Sequence, residues 1–133
     1  MTTALRRQGS KPAALIRCLM AALAFGAGVT SAAAHSRLVK SEPAARAVVA
    51  AAPKELKLWF NEKVEPAFAK VWIAPAKGPD IPLQSRGDSS DQKLLVVTMP
   101  DSVPPGPVTI GFHVLSVDGH TIEDKLNFTI KAP

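Results

Sequence analysis

Residues 56–60 read LKLWF. On an extended chain Leu56, Leu58 and Phe60 fall on one face, and Lys57 and Trp59 on the other. A repeat of two marks a half-buried β-strand, because successive side chains point to opposite faces. Working outward, LNFTIK at 126–131 repeats the pattern with Leu126, Phe128 and Ile130 directed inward. AKVWIA at 69–74 and VTIGFHVLSV at 108–117 are rich in β-formers. LLVVTM at 94–99 is almost continuously apolar, as expected of a strand covered on both faces. SRLVKS at 36–41 and IPLQ at 81–84 are shorter candidates.

Prolines at 43, 53, 66, 75, 79, 82, 100, 104, 105 and 107 leave no interval that reads as a long amphipathic helix. A proline inside a helix costs about 3 kcal/mol. The turn clusters AKGPD at 76–80, SRGDSSDQ at 85–92 and DSVPPGP at 101–107 separate the strand candidates. AARAVVAAAP at 44–53 is assigned to a loop. About seven short strands punctuated in this way predict an all-β fold, a two-sheet antiparallel sandwich.

The N-terminal third differs. Arg6, Arg7, Lys11 and Arg17 are followed by the uncharged CLMAALAFGAGV at 18–29 and then by TSAAA at 30–34. A basic start, a short apolar run and small residues at Ala32 and Ala34 predict a cleaved secretory signal peptide over 1–34. The apolar run falls short of the ~20 residues that span a bilayer. Arg6-Arg7 is also the first cue for twin-arginine export, but the QGSKP that follows gives it no support. Cys18 follows Arg17, where a lipid-anchored cysteine needs a small residue, so a lipid anchor is excluded.

Cleavage before His35 changes the balance. The formal net charge of +5 falls to +1 over the remaining 99 residues, because four cations and no acids leave with the leader. The basic character therefore gives no argument for nucleic-acid binding, which needs a basic patch on the folded domain. Cys18, the single cysteine, leaves too. Domain 35–133 then has no disulfide and no thiolate metal site, although it would occupy an oxidising compartment. Its stability rests on its core, and its length suffices for one.

Its chemistry rests on few residues: three histidines (His35, His113 and His120), no tyrosine, and Met99 as its one methionine. As the first mature residue, His35 would carry a free α-amine beside its imidazole. The two nitrogens can chelate one ion, and such a pair suits tetragonal Cu(II). The alternative is a solvated terminal histidine that titrates harmlessly. In SVDGHT at 116–121, Asp118 and His120 stand two residues apart, which on an extended chain turns both to one face. Asp-Gly is also an ordinary turn sequence. Taken together, an amine, two imidazoles and a carboxylate make an N₃O donor set matched to Cu(II) or Ni(II) rather than Cu(I).

His35, the following RLVKSEPA, the central KELKLWFNEKVEPAF and the late HVLSVDGHTIEDKLNFTIK together resemble the periplasmic copper-binding CopC family. The resemblance covers essentially all of 35–133. It implies a seven-stranded antiparallel β-sandwich of cupredoxin-like or immunoglobulin-like Greek-key type. It also implies one Cu(II) per chain, held by the N-terminal histidine in a histidine brace with the Asp and His of a D-x-H motif. These positions are His35, Asp118 and His120. A glutamate near the copper corresponds to Glu62 in WFNE, as a near or weak ligand. Longer family members have a methionine-rich Cu(I) loop. Here WIAPAKGPDIPLQSRGDSSDQ has neither Met nor His, which matches a subclass with a Cu(II) site only.

The remaining candidates are assigned structural roles. His113 is an odd number of residues from Asp118 and so points to the other face. Met99 is assigned to packing, and Glu65 and Glu123 to the surface. Trp59 and Trp72 fit either the core or the neighbourhood of the site. The resulting expectation is a monomeric periplasmic copper carrier, without catalysis, that delivers to a CopD-like inner-membrane protein. Two alternatives stand beside it: a copper-dependent oxidative enzyme using the same brace, and a metal-free sandwich used for protein contact.

Overall fold

A computed structural model describes residues 36–133. His35 and the leader lie outside the described residues. The described chain is all-β apart from one 3₁₀ turn at Pro66–Phe68. Nine strand segments form two sheets. The first contains β1 (Leu38–Glu42), β3 (Glu55–Phe60), β7 (Leu94–Thr98) and β6 (Ser85–Gly87), in the order β1-β3-β7-β6. The second runs β2-β9-β8-β4-β5, with β2 at Val48–Val49, β9 at Thr121–Ile130, β8 at Gly106–Leu115, β4 at Lys70–Ile73 and β5 at Ile81–Leu83.

The sandwich closes on the faces that the period of two selects. Leu56, Leu58 and Phe60 of β3 are buried with Leu95 and Val97 of β7. The second sheet contributes Val108, Ile110, Phe112 and Val114 from β8 and Ile122, Leu126, Phe128 and Ile130 from β9. Phe60 meets Phe112 across the interface edge to face, with ring centroids 5.8 Å apart. Met99 is in this core, as assigned.

Both tryptophans lie outside it. Trp59 pairs with Leu94 on the outer face of the first sheet, where the Lys40 ammonium sits 4.3 Å from its ring centroid. Leu94 and Val96 share that outer face and are also buried, so β7 is covered on both sides. Trp72 covers Gly111 on the outer face of the second sheet. A Cβ at Gly111 would stand 2.3 Å from the indole, so only glycine admits the ring.

Two segments read as turn or loop contain short strands. β6 falls in SRGDSSDQ and pairs with β7 through its backbone, although Ser, Arg and Gly are poor β-formers. A Cβ at Gly87 would stand 2.6 Å from Pro66, which explains glycine in this edge strand. β2 falls in the alanine-rich 44–53 and pairs with β9, in parallel. Hydrogen bonds from Arg46 N–H to Asn127 O (2.6 Å) and Thr129 N–H to Ala47 O (2.8 Å) hold it there. Both segments are edge pieces of two or three residues, set by tertiary pairing rather than by propensity.

Candidate metal centre

β8 and β9 form a ten-residue antiparallel ladder, and the turn that joins them presents the candidate donors. Val108, Ile110, Phe112 and Val114 point inward, and the same phase continues one step beyond the strand to Ser116, which is 1% exposed. The Ser116 hydroxyl donates to Asp118 Oδ1 and accepts from the His120 N–H at 3.1 Å. Gly119 N–H donates to Ser116 O at 2.9 Å, and Ser116 N–H to His120 O at 2.8 Å. Gly119 adopts φ +92°, a conformation open mainly to glycine.

Asp118 and His120 therefore meet because the chain turns. They do not share one face of an extended strand, as their spacing alone suggested. Asp118 Oδ2 lies 2.9 Å from His120 Nδ1.

The second wall comes from the end of β3. Asn61 N–H donates to Arg37 O at 3.1 Å, and Arg37 N–H donates to Asn61 Oδ1 at 2.7 Å. Next to it, Glu62 Oε2 accepts from the Ser36 hydroxyl at 2.5 Å. Val117 N–H donates to Lys63 O and Glu65 N–H to Leu115 O, both at 2.9 Å, which joins this segment to the turn. One donor atom each from Glu62, Asp118 and His120 then lies within 4.8 Å of the others.

The electrostatics follow from these contacts. The Ser116 hydroxyl, and then His120, hold the Asp118 carboxyl well below the usual carboxylate range. The Asp118 carboxylate in turn raises His120 above the ordinary imidazole value, and Glu62 adds to this. His120 and Asp118 remain 69% and 48% exposed, so an ion can enter directly from solvent.

The donors fit a first-row divalent ion. One imidazole nitrogen and two carboxylate oxygens are donor types that such ions accept.

The structure brings Glu62, Asp118 and His120 together and leaves His113 elsewhere. His113 is on the outer face of the second sheet, with Nδ1 3.3 Å from Glu123 Oε2. Ser116 went unread in the sequence. The signal was available: it continues the inward phase of β8 as a polar residue.

Comparison with known proteins adds the lineage. The CopC domain family matches residues 38–131. The chain is 40% identical over 99 residues to protein YobA of Escherichia coli K12, covering 74% of this chain and 80% of that one. The crystal structure of CopC from Methylosinus trichosporium OB3b superposes with a TM-score of 0.67 at 36% identity, covering 73% of this chain and 94% of that one. PcoC from Escherichia coli, a methionine-rich copper resistance protein, superposes with a TM-score of 0.58 at 29% identity, over 74% of this chain and 100% of its own. A region of the copper transport protein CutJ of Bacillus subtilis is 24% identical over 98 residues, covering 73% of this chain and 18% of that larger protein.

Proposed function

The chain belongs to the CopC family, and from that premise we propose that it holds one Cu(II) ion in the periplasm as a carrier, without catalysis. The ligands are the α-amine and imidazole of His35, the Asp118 carboxylate and the His120 imidazole, with Glu62 as a near or weak ligand. Removal of a signal peptide over 1–34 creates the amine. The names of the relatives, copper resistance for PcoC and copper transport for CutJ, support copper as the cargo.

One observation carries the reading. Ser36 is hydrogen-bonded to Glu62, and Glu62 is grouped with Asp118 and His120. His35 immediately precedes Ser36 in the sequence. Two carboxylates and one imidazole alone make a modest site. A deprotonated amine and a second imidazole complete the nitrogen-rich set that Cu(II) prefers.

The preference for Cu(II) over Cu(I) rests on the absence of soft donors. Met99 is the one methionine after the leader, and it is buried in the core. No thioether among the described residues reaches the surface. PcoC, by contrast, is methionine-rich by name.

As a carrier, the protein delivers copper to a CopD-like protein of the inner membrane. CutJ supports this association, because there a CopC-like region forms part of a larger transport protein.

The test is a Cu(II) titration of the exported, processed protein beside a variant with one alanine inserted before His35, read by electron paramagnetic resonance. The expected result is a tetragonal, nitrogen-rich 1:1 spectrum in the first. In the second, where the amine has become an amide, affinity should fall by roughly a hundredfold or more, beyond the ~10–100-fold cost of losing an outer-shell partner. Equal affinity in both would remove His35 from the site.

A further inference from the structure

The antiparallel ladder of β1 and β3 ends where the candidate site begins, and its last rung is irregular. Leu38 faces Phe60, so Arg37 and Asn61 come next. A regular pair at this position exchanges two backbone bonds, each N–H donating to the other residue's C=O. One is in place, from Asn61 N–H to Arg37 O at 3.1 Å. The second starts from Arg37 N–H, but its acceptor is the side-chain carbonyl, Asn61 Oδ1, at 2.7 Å.

Two demands meet at this rung. Beyond Asn61 the chain leaves β1: Lys63 O accepts from Val117 N–H, Val64 N–H donates to Gln92 O, and Val64 bridges to Ser116. These contacts carry Glu62 to the β8–β9 turn, where it groups with Asp118 and His120. The N-terminal segment has to stay beside it, since Ser36 donates to Glu62 Oε2. A side-chain acceptor meets both demands, because Arg37 N–H stays paired while the main chain departs. Asparagine is short enough to replace a backbone group in this way. Only Ser36 stands between Arg37 and His35 in the sequence, and a chain terminus is poorly ordered unless tied down. On the strength of the copper-site reading above, we propose that Asn61 is a positioning residue: it clamps Ser36–Leu38 against the end of β3 and so sets where His35 presents its two nitrogens. Its effect is confined to those N-terminal donors. Glu62, Asp118 and His120 are gathered by other contacts, from Ser116, Lys63 and Val117.

The test is a cycle of four processed proteins: the unaltered chain, Asn61→Ala, the chain with one alanine inserted before His35, and both changes together. Amide exchange at Arg37 is read by NMR on the metal-free proteins, and Cu(II) affinity by chelator competition. Asn61→Ala should speed exchange at Arg37 roughly fivefold, as for one lost hydrogen bond, with the β8–β9 amides still protected. Asn61→Asp keeps the acceptor and should leave that exchange slow. In the chain that starts at His35, Asn61→Ala should weaken Cu(II) binding roughly tenfold, as for an outer-shell partner. In the inserted chain, whose terminal amine no longer belongs to His35, it should change affinity by less than about twofold, because the coupled group is gone. Unchanged exchange at Arg37 in Asn61→Ala would show that the backbone holds the segment alone, and would overturn the clamp. An equal loss of affinity in both chains would overturn the positioning role, since Asn61 would then act on the other donors. Unchanged affinity on inserting the alanine alone would overturn the copper reading, and the role of Asn61 in ligation with it.

Discussion

The two ends of β8 show how one strand can stop in two chemically different ways. At its start, DSVPPGP brings Pro104, Pro105 and Pro107 into an apolar pocket of about 340 Å³ with Ile73, Ile81 and Val108. No acid, histidine or cysteine lines it. At its finish, Ser116 collects Asp118 and His120 through a network of hydrogen bonds. The proline end is closed by restricted backbone, which needs no side-chain partners. The serine end is closed by polar side chains, and these leave a carboxylate and an imidazole exposed side by side. The candidate donors are therefore gathered at one end of the strand, while the ladder between the ends is common to both.

The strongest way to break this contrast is to remove a donor. His120→Ala should lower Cu(II) affinity by roughly a hundredfold or more, since loss of an outer-shell partner alone costs ~10–100-fold. Because the side chain is mostly exposed, the urea midpoint of the metal-free protein should hardly move. A competition titration with a chelator of known affinity measures the first, and denaturation followed by tryptophan fluorescence the second. Unchanged affinity would take His120 out of the site.

The pH dependence comes next. Asp118 raises the His120 pKa above its ordinary value, so copper competes with a proton there at a higher pH than at a free imidazole. Each proton displaced costs about tenfold in affinity per pH unit. The decline should therefore begin near pH 8, the ordinary α-amine value, and steepen as pH falls through the imidazole range, ordinarily about 6.5. Competition titrations at pH 5, 6, 7 and 8 measure the slope.

The metal-free protein should respond differently, and both partners report one shared interaction. The raised His120 contributes stability below its unfolded pKa, lost as pH rises through its folded value. The lowered Asp118 contributes stability above its unfolded pKa, lost as pH falls through its folded value. Metal-free stability from this pair is thus largest in mildly acidic solution, where copper binds poorly. A copper affinity flat from pH 8 to pH 5 would exclude imidazole ligation.

Ser116→Ala tests the support rather than the donors. The buried hydroxyl serves both Asp118 and the His120 N–H. Its loss should cost about 1–2 kcal/mol of folding stability and about tenfold in Cu(II) affinity, as for an outer-shell partner. Ser116→Thr keeps the hydroxyl and should recover most of the affinity. If alanine at 116 binds copper normally, the turn holds its shape without the hydroxyl.

How much of this was legible follows the same division. The core strands were read correctly because Leu56, Leu58 and Phe60, or Leu126, Phe128 and Ile130, obey a period that burial enforces residue by residue. β2 and β6 were missed because edge pairing uses backbone groups that every residue has. Asp118 and His120 were selected as partners, but by a face argument. What joins them is a turn with positive φ at Gly119, which spacing alone does not show. Glu62 and Ser36, 26 residues apart, meet only because β1 and β3 pair. No local reading brings them together, and Glu62 was reached through family resemblance alone. What covers Trp59 and Trp72 was equally closed to sequence, since strand parity assigns a face but not its neighbours.

The smallest effect is expected at the other end of β8, where it sharpens the contrast. Pro105 is exposed and lines the apolar pocket. Pro105→Ala leaves its few contacts nearly intact and acts mainly by giving the unfolded chain more freedom, a cost of at most about 1 kcal/mol. Copper affinity should be unchanged, because the ten-residue β8–β9 ladder separates this loop from the turn and independent distant sites add without coupling. The same chelator competition, run beside a urea melt, measures both quantities. A shift in copper affinity would mean that the ladder transmits strain from one end to the other, and that the two ends are not the independent closures described here.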